Sequence, residues 1–264
     1  MTPIPNLARR AVEVLDLTRL EADRDDTGVR ELCLRAASAP VHPAAVCVYP
    51  RFIAAARETL NEHDLIGRIR VATVANFPTG QADAQTAAEQ TRKAILAGAD
   101  EVDVVFPWRE FLGGNGCIGL ELVQRCKAEC ESRPLKVILE TGALGKPDAI
   151  RRASELAITG GADFLKTSTG KIPAQATPEA AQVMLETISA SSRNVGLKVS
   201  GGVRTLDEAA LYMNMAARIM GPDWVGPRHF RLGASSLLDA LLLEIDRSGR
   251  ESSTGNRASP DHIA

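Results

Sequence analysis

Short runs of aliphatic and β-branched residues recur along the chain, each only a few residues long. They are Leu15-Asp16-Leu17, Ala45 to Tyr49, Arg70 to Val74, Glu101 to Val105, Lys136 to Glu140, Asp163 to Lys166, Gly196 to Val199 and Phe230 to Gly233. Their length and composition predict strands, and their centres fall about 25–35 residues apart. Amphipathic helical patterns fill most of the intervals. One runs from Thr86 to Ala97 and ends on Gly98, a residue suited to closing a helix. Strand and helix alternating at this period predict right-handed βαβ units and a parallel sheet. Eight such units predict a closed (β/α)8 TIM barrel forming a single domain over residues 1–246. No GxGxxG opens a helix after the first strand, which weighs against a dinucleotide-binding open sheet. The segment 247–264 is rich in Ser, Gly, Arg, Asn and Pro and is expected to form a flexible C-terminal tail.

Charged residues inside these runs change the picture. Lys166 ends Phe164-Leu165-Lys166, and Lys198 stands in Gly196-Leu197-Lys198-Val199. An ammonium drawn into a packed interior loses its hydration and must find a partner or give up its proton. Two such lysines side by side are expected to depress each other's pKa, and a neutral amine is a nucleophile suited to Schiff-base chemistry on a carbonyl. An internal echo sets register: Gly98-Ala99-Asp100 precedes one strand and Gly161-Ala162-Asp163 another, 63 residues later. Asp103 and Lys166 therefore hold equivalent positions on strands four and six. If Asp103, Lys166 and Lys198 point inward, Val102, Val104, Leu165, Leu197 and Val199 point outward to the helices. A carboxylate between two lysines forms a proton relay for carbinolamine and imine steps, and spacing alone leaves open which lysine is the nucleophile.

Composition then limits the partners. With 31 basic and 33 acidic residues, the chain carries no global field to recruit nucleic acid or an anionic membrane, so an anion must be caught locally. Gly201-Gly202-Val203-Arg204 follows strand seven and Gly233-Ala234-Ser235-Ser236 follows strand eight, the two loops that recurrently bind phosphate in such barrels. Gly170 and Lys171 add a third loop with a cation. Arg204 reads either as a further phosphate contact or as a solvated residue at a helix start. Cys47 points into the barrel as a site residue or as an inert core thiol. Glu140, near Lys136, suits an ion pair or a supporting network as well as a substrate contact. Five cysteines without CxxC spacing predict neither a disulfide framework nor a zinc ribbon, and His42, His63, His229 and His262 lack ligand spacing, so no metal and no cofactor is expected. No apolar run reaches membrane-spanning length and no secretory signal opens the chain, which predicts a cytoplasmic protein. Homo-oligomerisation is left open.

Several runs together resemble deoxyribose-phosphate aldolase from about Leu15 to Leu243. They are Ala44 to Phe52, Asn76-Phe77-Pro78-Thr79-Gly80, Asp100 to Val105, Lys136 to Thr141, Lys166-Thr167-Ser168-Thr169-Gly170-Lys171 and Gly201 to Thr205. The resemblance implies a metal-free class I aldolase that cleaves 2-deoxy-D-ribose 5-phosphate, a small phosphosugar, into acetaldehyde and D-glyceraldehyde 3-phosphate. It implies Lys166 as the Schiff-base lysine, Lys198 as its activating neighbour and Asp103 as the relay carboxylate. Asp16, Thr18 and Asn76 are candidates for the substrate hydroxyls, and the resemblance favours Asp16. Members of this family often end in a tyrosine that serves proton transfer at the enamine carbon. This chain ends Pro260-Asp261-His262-Ile263-Ala264 and has only Tyr49 and Tyr212, so water held by Asp103 and Lys198 is expected to take that role, with His262 a weaker alternative. Another lysine-dependent aldolase on the same barrel, or a non-catalytic phosphate-binding barrel, are the rival readings. Paired buried lysines argue against the second.

Overall fold

The computed structural model describes residues 4–173 and 176–254. Eight strands, β1 (Leu15–Arg19), β2 (Ala45–Val48), β3 (Arg70–Ala75), β4 (Glu101–Val105), β5 (Leu135–Ile138), β6 (Phe164–Lys166), β7 (Gly196–Ser200) and β8 (Phe230–Ala234), pair in chain order, all parallel. Asp16 of β1 lies beside Gly233 of β8 and closes the barrel. The helices are α1 (Ile4–Glu13), α2 (Thr27–Ser38), α3 (Ile53–Glu62), α4 (Ala84–Leu96), α5 (Trp108–Leu112), α6 (Gly116–Cys130), α7 (Thr141–Leu144), α8 (Pro147–Gly160), α9 (Pro178–Ala190), α10 (Leu206–Met220) and α11 (Leu237–Thr254). This is the single (β/α)8 barrel expected from the alternation. No helix among the described residues is long and apolar enough to cross a membrane. Helix α11 continues to Thr254, past the Arg247 where the tail was expected to begin, and residues 255–264, His262 among them, lie outside the described residues.

Local signals start and stop the helices. The Asp83 side chain accepts the Thr86 N–H at the start of α4, and Thr205 and Glu208 form a reciprocal capping box at the start of α10. Helix α8 ends on Gly161 at φ 104°. The repeated aspartates of the internal echo share a structural task. Asp100 Oδ2 accepts the Val71 N–H at 2.8 Å at the head of β3, and Asp163 Oδ2 accepts the Leu135 N–H at 2.8 Å at the head of β5. Each ties the start of its own strand to the strand before it.

Strand parity separates two interiors. Val46, Val71, Val102, Val104, Val137, Leu165, Leu197, Val199 and Leu232 join the helices in one large apolar layer outside the sheet. Inside the barrel, Ala45, Cys47, Ala72 and Val74 form a small apolar cluster with Leu20, flanked by Tyr49 and Phe77. That cluster occupies the β2 and β3 side. The remaining interior, from β4 round to β1, is filled by Glu101, Asp103, Lys136, Lys166, Lys198, Arg231 and Asp16, all buried.

Candidate active site

Those seven residues form one connected ionic network. Lys166, Lys198 and Arg231 stand abreast in the register of β6, β7 and β8, and Asp103 stands beside Lys136 across β4 and β5. Asp103 is the hub. Its Oδ2 accepts from Lys166 Nζ and Lys198 Nζ, each at 2.8 Å, and its Oδ1 from Lys136 Nζ at 2.7 Å. Lys198 Nζ also donates to Asp16 Oδ2 at 2.5 Å, and Asp16 Oδ1 takes the Arg231 guanidinium. Glu101 closes the lower end, 2.6 Å from Lys136 Nζ and 2.8 Å from Arg231 Nη2. Arg70 reaches Glu101 from the basal rim at 3.1 Å.

Charge balance sets Lys166 apart from the other two lysines. Inside the barrel, four cationic side chains face three carboxylates, so one excess positive charge sits where charge is costly. Lys166 has a single carboxylate partner, whereas Lys136 and Lys198 each have more than one. Burial drives the Lys166 pKa below the ordinary lysine value. Asp103 opposes this, and the Lys198 ammonium adds to it. Burial also disfavours the Lys198 ammonium, but Asp103 and Asp16 outweigh it and raise that pKa. Mutual depression of the two lysines, as expected from the sequence, therefore holds for Lys166 alone, because Lys198 lies between two carboxylates. Lys136 is raised in the same way: Asp103 and Glu101 overcome its burial. Asp103, although buried, is held well below the usual carboxylate range by Lys136, Lys166 and Lys198.

Above the network, at the C-terminal ends of the strands, opens a cleft of about 230 Å³. Lys166 lines it with 3% exposure, while Lys136 and Lys198 are fully buried below. Its wall brings together Thr18, Gly170, Lys171, Gly201, Gly202, Arg204, Gly233, Ser235 and Ser236, and adds Thr169 and Ser200. Gly201 and Gly202 take φ 87° and 93°, a turn that side chains strain. Gly233 serves a different need: a Cβ there would stand 2.9 Å from both Lys198 Cε and Ser200 Cβ. The Lys171 ammonium bridges to the Leu20 carbonyl across the mouth. Arg204 is exposed at the rim, where its backbone N–H donates to Glu208, so it joins the cleft and the helix start together.

Several expectations change. Asp16 lies under the cleft rather than in its wall, fully buried with both oxygens engaged by Lys198 and Arg231. Cys47 takes the second of its two readings, as a core thiol in the interior apolar cluster, where burial raises its pKa. Asn76 spends its side chain closing its own loop, donating to the Gln81 and Val105 carbonyls and accepting the Gln81 N–H. Glu140 does not pair with Lys136. The strand ends at Ile138, the chain turns through Glu140 at φ 58°, and its carboxylate accepts the Thr169 hydroxyl at 2.6 Å. Lys136, Glu101 and Arg231 were not singled out from the sequence as members of the central network. The available signal was a charge at an inward position of an otherwise aliphatic strand.

The model of the DeoC/LacD family aldolases matches residues 11–242. A structure from Toxoplasma gondii ME49, described as the apo form of a "putative deoxyribose-phosphate aldolase", is 26% identical, with a TM-score of 0.85 over 94% of this chain and 99% of its own. One from Coccidioides immitis, described as a "putative deoxyribose-phosphate aldolase", is 25% identical, with a TM-score of 0.78 over 95% and 92%. A deoxyribose phosphate aldolase from Aeropyrum pernix, 22% identical and with a TM-score of 0.70 over 91% and 92%, shares the fold. The chain belongs to the DeoC/LacD family of aldolases.

Proposed function

We propose that this aldolase reversibly cleaves 2-deoxy-D-ribose 5-phosphate into acetaldehyde and D-glyceraldehyde 3-phosphate through a Schiff base on Lys166. The observation that carries the reading is the position of Lys166: of the three lysines around Asp103 it alone lines the cleft, and burial lowers its pKa. Neutral Lys166 adds to the C1 aldehyde, and a proton delivered by the relay to the carbinolamine hydroxyl lets it leave as water, giving an iminium that acts as an electron sink. A base then removes the proton of the 3-hydroxyl; Asp103 and Lys198 form the relay, with water completing it. The C2–C3 bond breaks, its electrons flow into the iminium, and glyceraldehyde 3-phosphate leaves. The enamine left on Lys166 is protonated at C2, and hydrolysis frees acetaldehyde. Neither Tyr49 nor Tyr212 lines the cleft, which supports water as the donor to the enamine carbon.

The phosphate is assigned to the mouth formed after β6, β7 and β8. Gly202 lets backbone amides approach, Ser235 and Ser236 precede the N-terminus of α11, and Lys171 and Arg204 add positive charge. Fixing the anion there holds C3 over the relay, and such positioning supplies part of the ~7–11 kcal/mol available from fixed geometry. Thr18 and Thr169, whose hydroxyls donate to the Asp16 carbonyl and to Glu140, can still accept from the sugar, and Asp16 acts from below by holding Lys198. The setting inferred is deoxynucleoside catabolism in the cytoplasm. The test is borohydride reduction with acetaldehyde followed by peptide mass mapping. An ethyl group on Lys166 is expected, and labelling of Lys198 alone would contradict the assignment.

A further inference from the structure

At the opposite end of the barrel, below the N-terminal ends of the strands, lies a second cleft of about 340 Å³. Arg68, Arg70, Arg228 and Arg231 line it with His42, and Glu13 is the one carboxylate in its wall among the described residues. In a chain of net charge −2 this is a concentrated patch of the opposite sign.

The four guanidiniums are not equivalent. Arg231 forms the floor and is spent on Asp16, Glu101 and the Pro227 carbonyl. Arg70 is shared with Glu101 at 3.1 Å and is half exposed. Arg68 and Arg228 are exposed and make no salt bridge among the described residues, which leaves their guanidiniums open to a ligand. Planar guanidinium forks arranged around a concave wall are suited to bidentate capture of phosphate oxygens. The volume exceeds what one inorganic phosphate needs, and the four guanidiniums line one concave wall.

We infer that this basal cleft is a second anion site, which takes a small molecule carrying more than one phosphate charge and is separate from the cleft over Lys166. Arg68 and Arg228 supply its attraction, and Arg70 and Arg231 its floor. The site does not depend on the reaction proposed for Lys166.

Pyrophosphate is the probe, titrated calorimetrically into the full chain at low salt. Wild type is expected to bind at two sites, one of which persists when deoxyribose 5-phosphate saturates the upper cleft. The R68S/R228S variant should lose that persistent site, with at least tenfold weaker binding, while keeping wild-type aldol turnover and Tm, because both arginines are exposed and remote from Lys166. Unchanged pyrophosphate stoichiometry and affinity in R68S/R228S overturns the inference. So does a wild type whose pyrophosphate is entirely displaced by the sugar phosphate.

Discussion

Individual side chains in the barrel interior divide sharply by how many opposite charges they meet. Lys166 is held below its ordinary pKa, so folding releases its proton between the folded value and the unfolded one. In that window the unfolded chain binds more protons, and stability falls as the pH drops through it. Lys166 thus costs stability at neutral pH, whereas Lys136, raised by Asp103 and Glu101, adds to it below its unfolded pKa. The two substitutions to methionine should therefore move Tm in opposite directions. Lys166→Met removes an amine whose ammonium form is disfavoured by burial, and should raise Tm while abolishing imine formation. Lys136→Met leaves Glu101 and Asp103 short of a partner in a dry interior, which typically costs about 3–5 kcal/mol. Thermal melts of both variants at pH 7 decide this, and a lower Tm for Lys166→Met would mean that Lys166 is charged in the folded protein.

At the scale of elements, the loops after β7 and β8 meet the same cleft but tolerate change differently. Gly202 sits in an exposed turn at φ 93°, whereas Gly233 lies within β8 with its missing side chain facing Lys198. Gly202→Leu should disturb the phosphate mouth and leave the lysine network in place. Loss of contacts to a charged group weighs roughly 1.5–3 kcal/mol, so the preference for deoxyribose 5-phosphate over deoxyribose should fall roughly 10- to 100-fold in kcat/KM. Trapping of acetaldehyde on Lys166 should persist, which also reports an intact barrel. Gly233→Ala should impair both readouts, since its Cβ would press on Lys198 Cε at 2.9 Å. A Gly202→Leu enzyme that keeps its phosphate preference would move the anion to another loop.

For the whole molecule, the ionic interior makes stability a function of pH at both ends. Burial raises the pKa of Asp16, Asp103 and Glu101, but the surrounding cations prevail and the net shift is downward in all three. A depressed carboxylate contributes stability above its unfolded pKa and loses it as the pH falls through the folded one. Tm should drop steeply below about pH 4, as the carboxylates protonate and leave the buried cations uncompensated. On the alkaline side, the raised Lys136 and Lys198 carry their contribution up to the unfolded lysine value and lose it above. A melting temperature that stayed level down to pH 3 would show that the network is not ionised in the folded chain.

Periodicity was enough to read the barrel from the chain, because each strand and each helix is specified by local spacing and by caps such as Asp83, Thr205 and Gly161. The convergence of Lys166, Lys198 and Asp103 was legible for the same reason: alternation along a strand sets which face a residue takes, and the repeated aspartates set the register. Which lysine faces the cleft was not legible, since depth along the barrel axis depends on how all eight strands stagger. Nor were the positions of Lys136, Glu101 and Arg231 in the network. An ion pair between β4 and β8, or between Arg231 and an aspartate 215 residues away, exists only once the sheet closes. Sequence spacing determined the faces. Closure of the barrel decided the partners, and through them which lysine of the network has its pKa lowered.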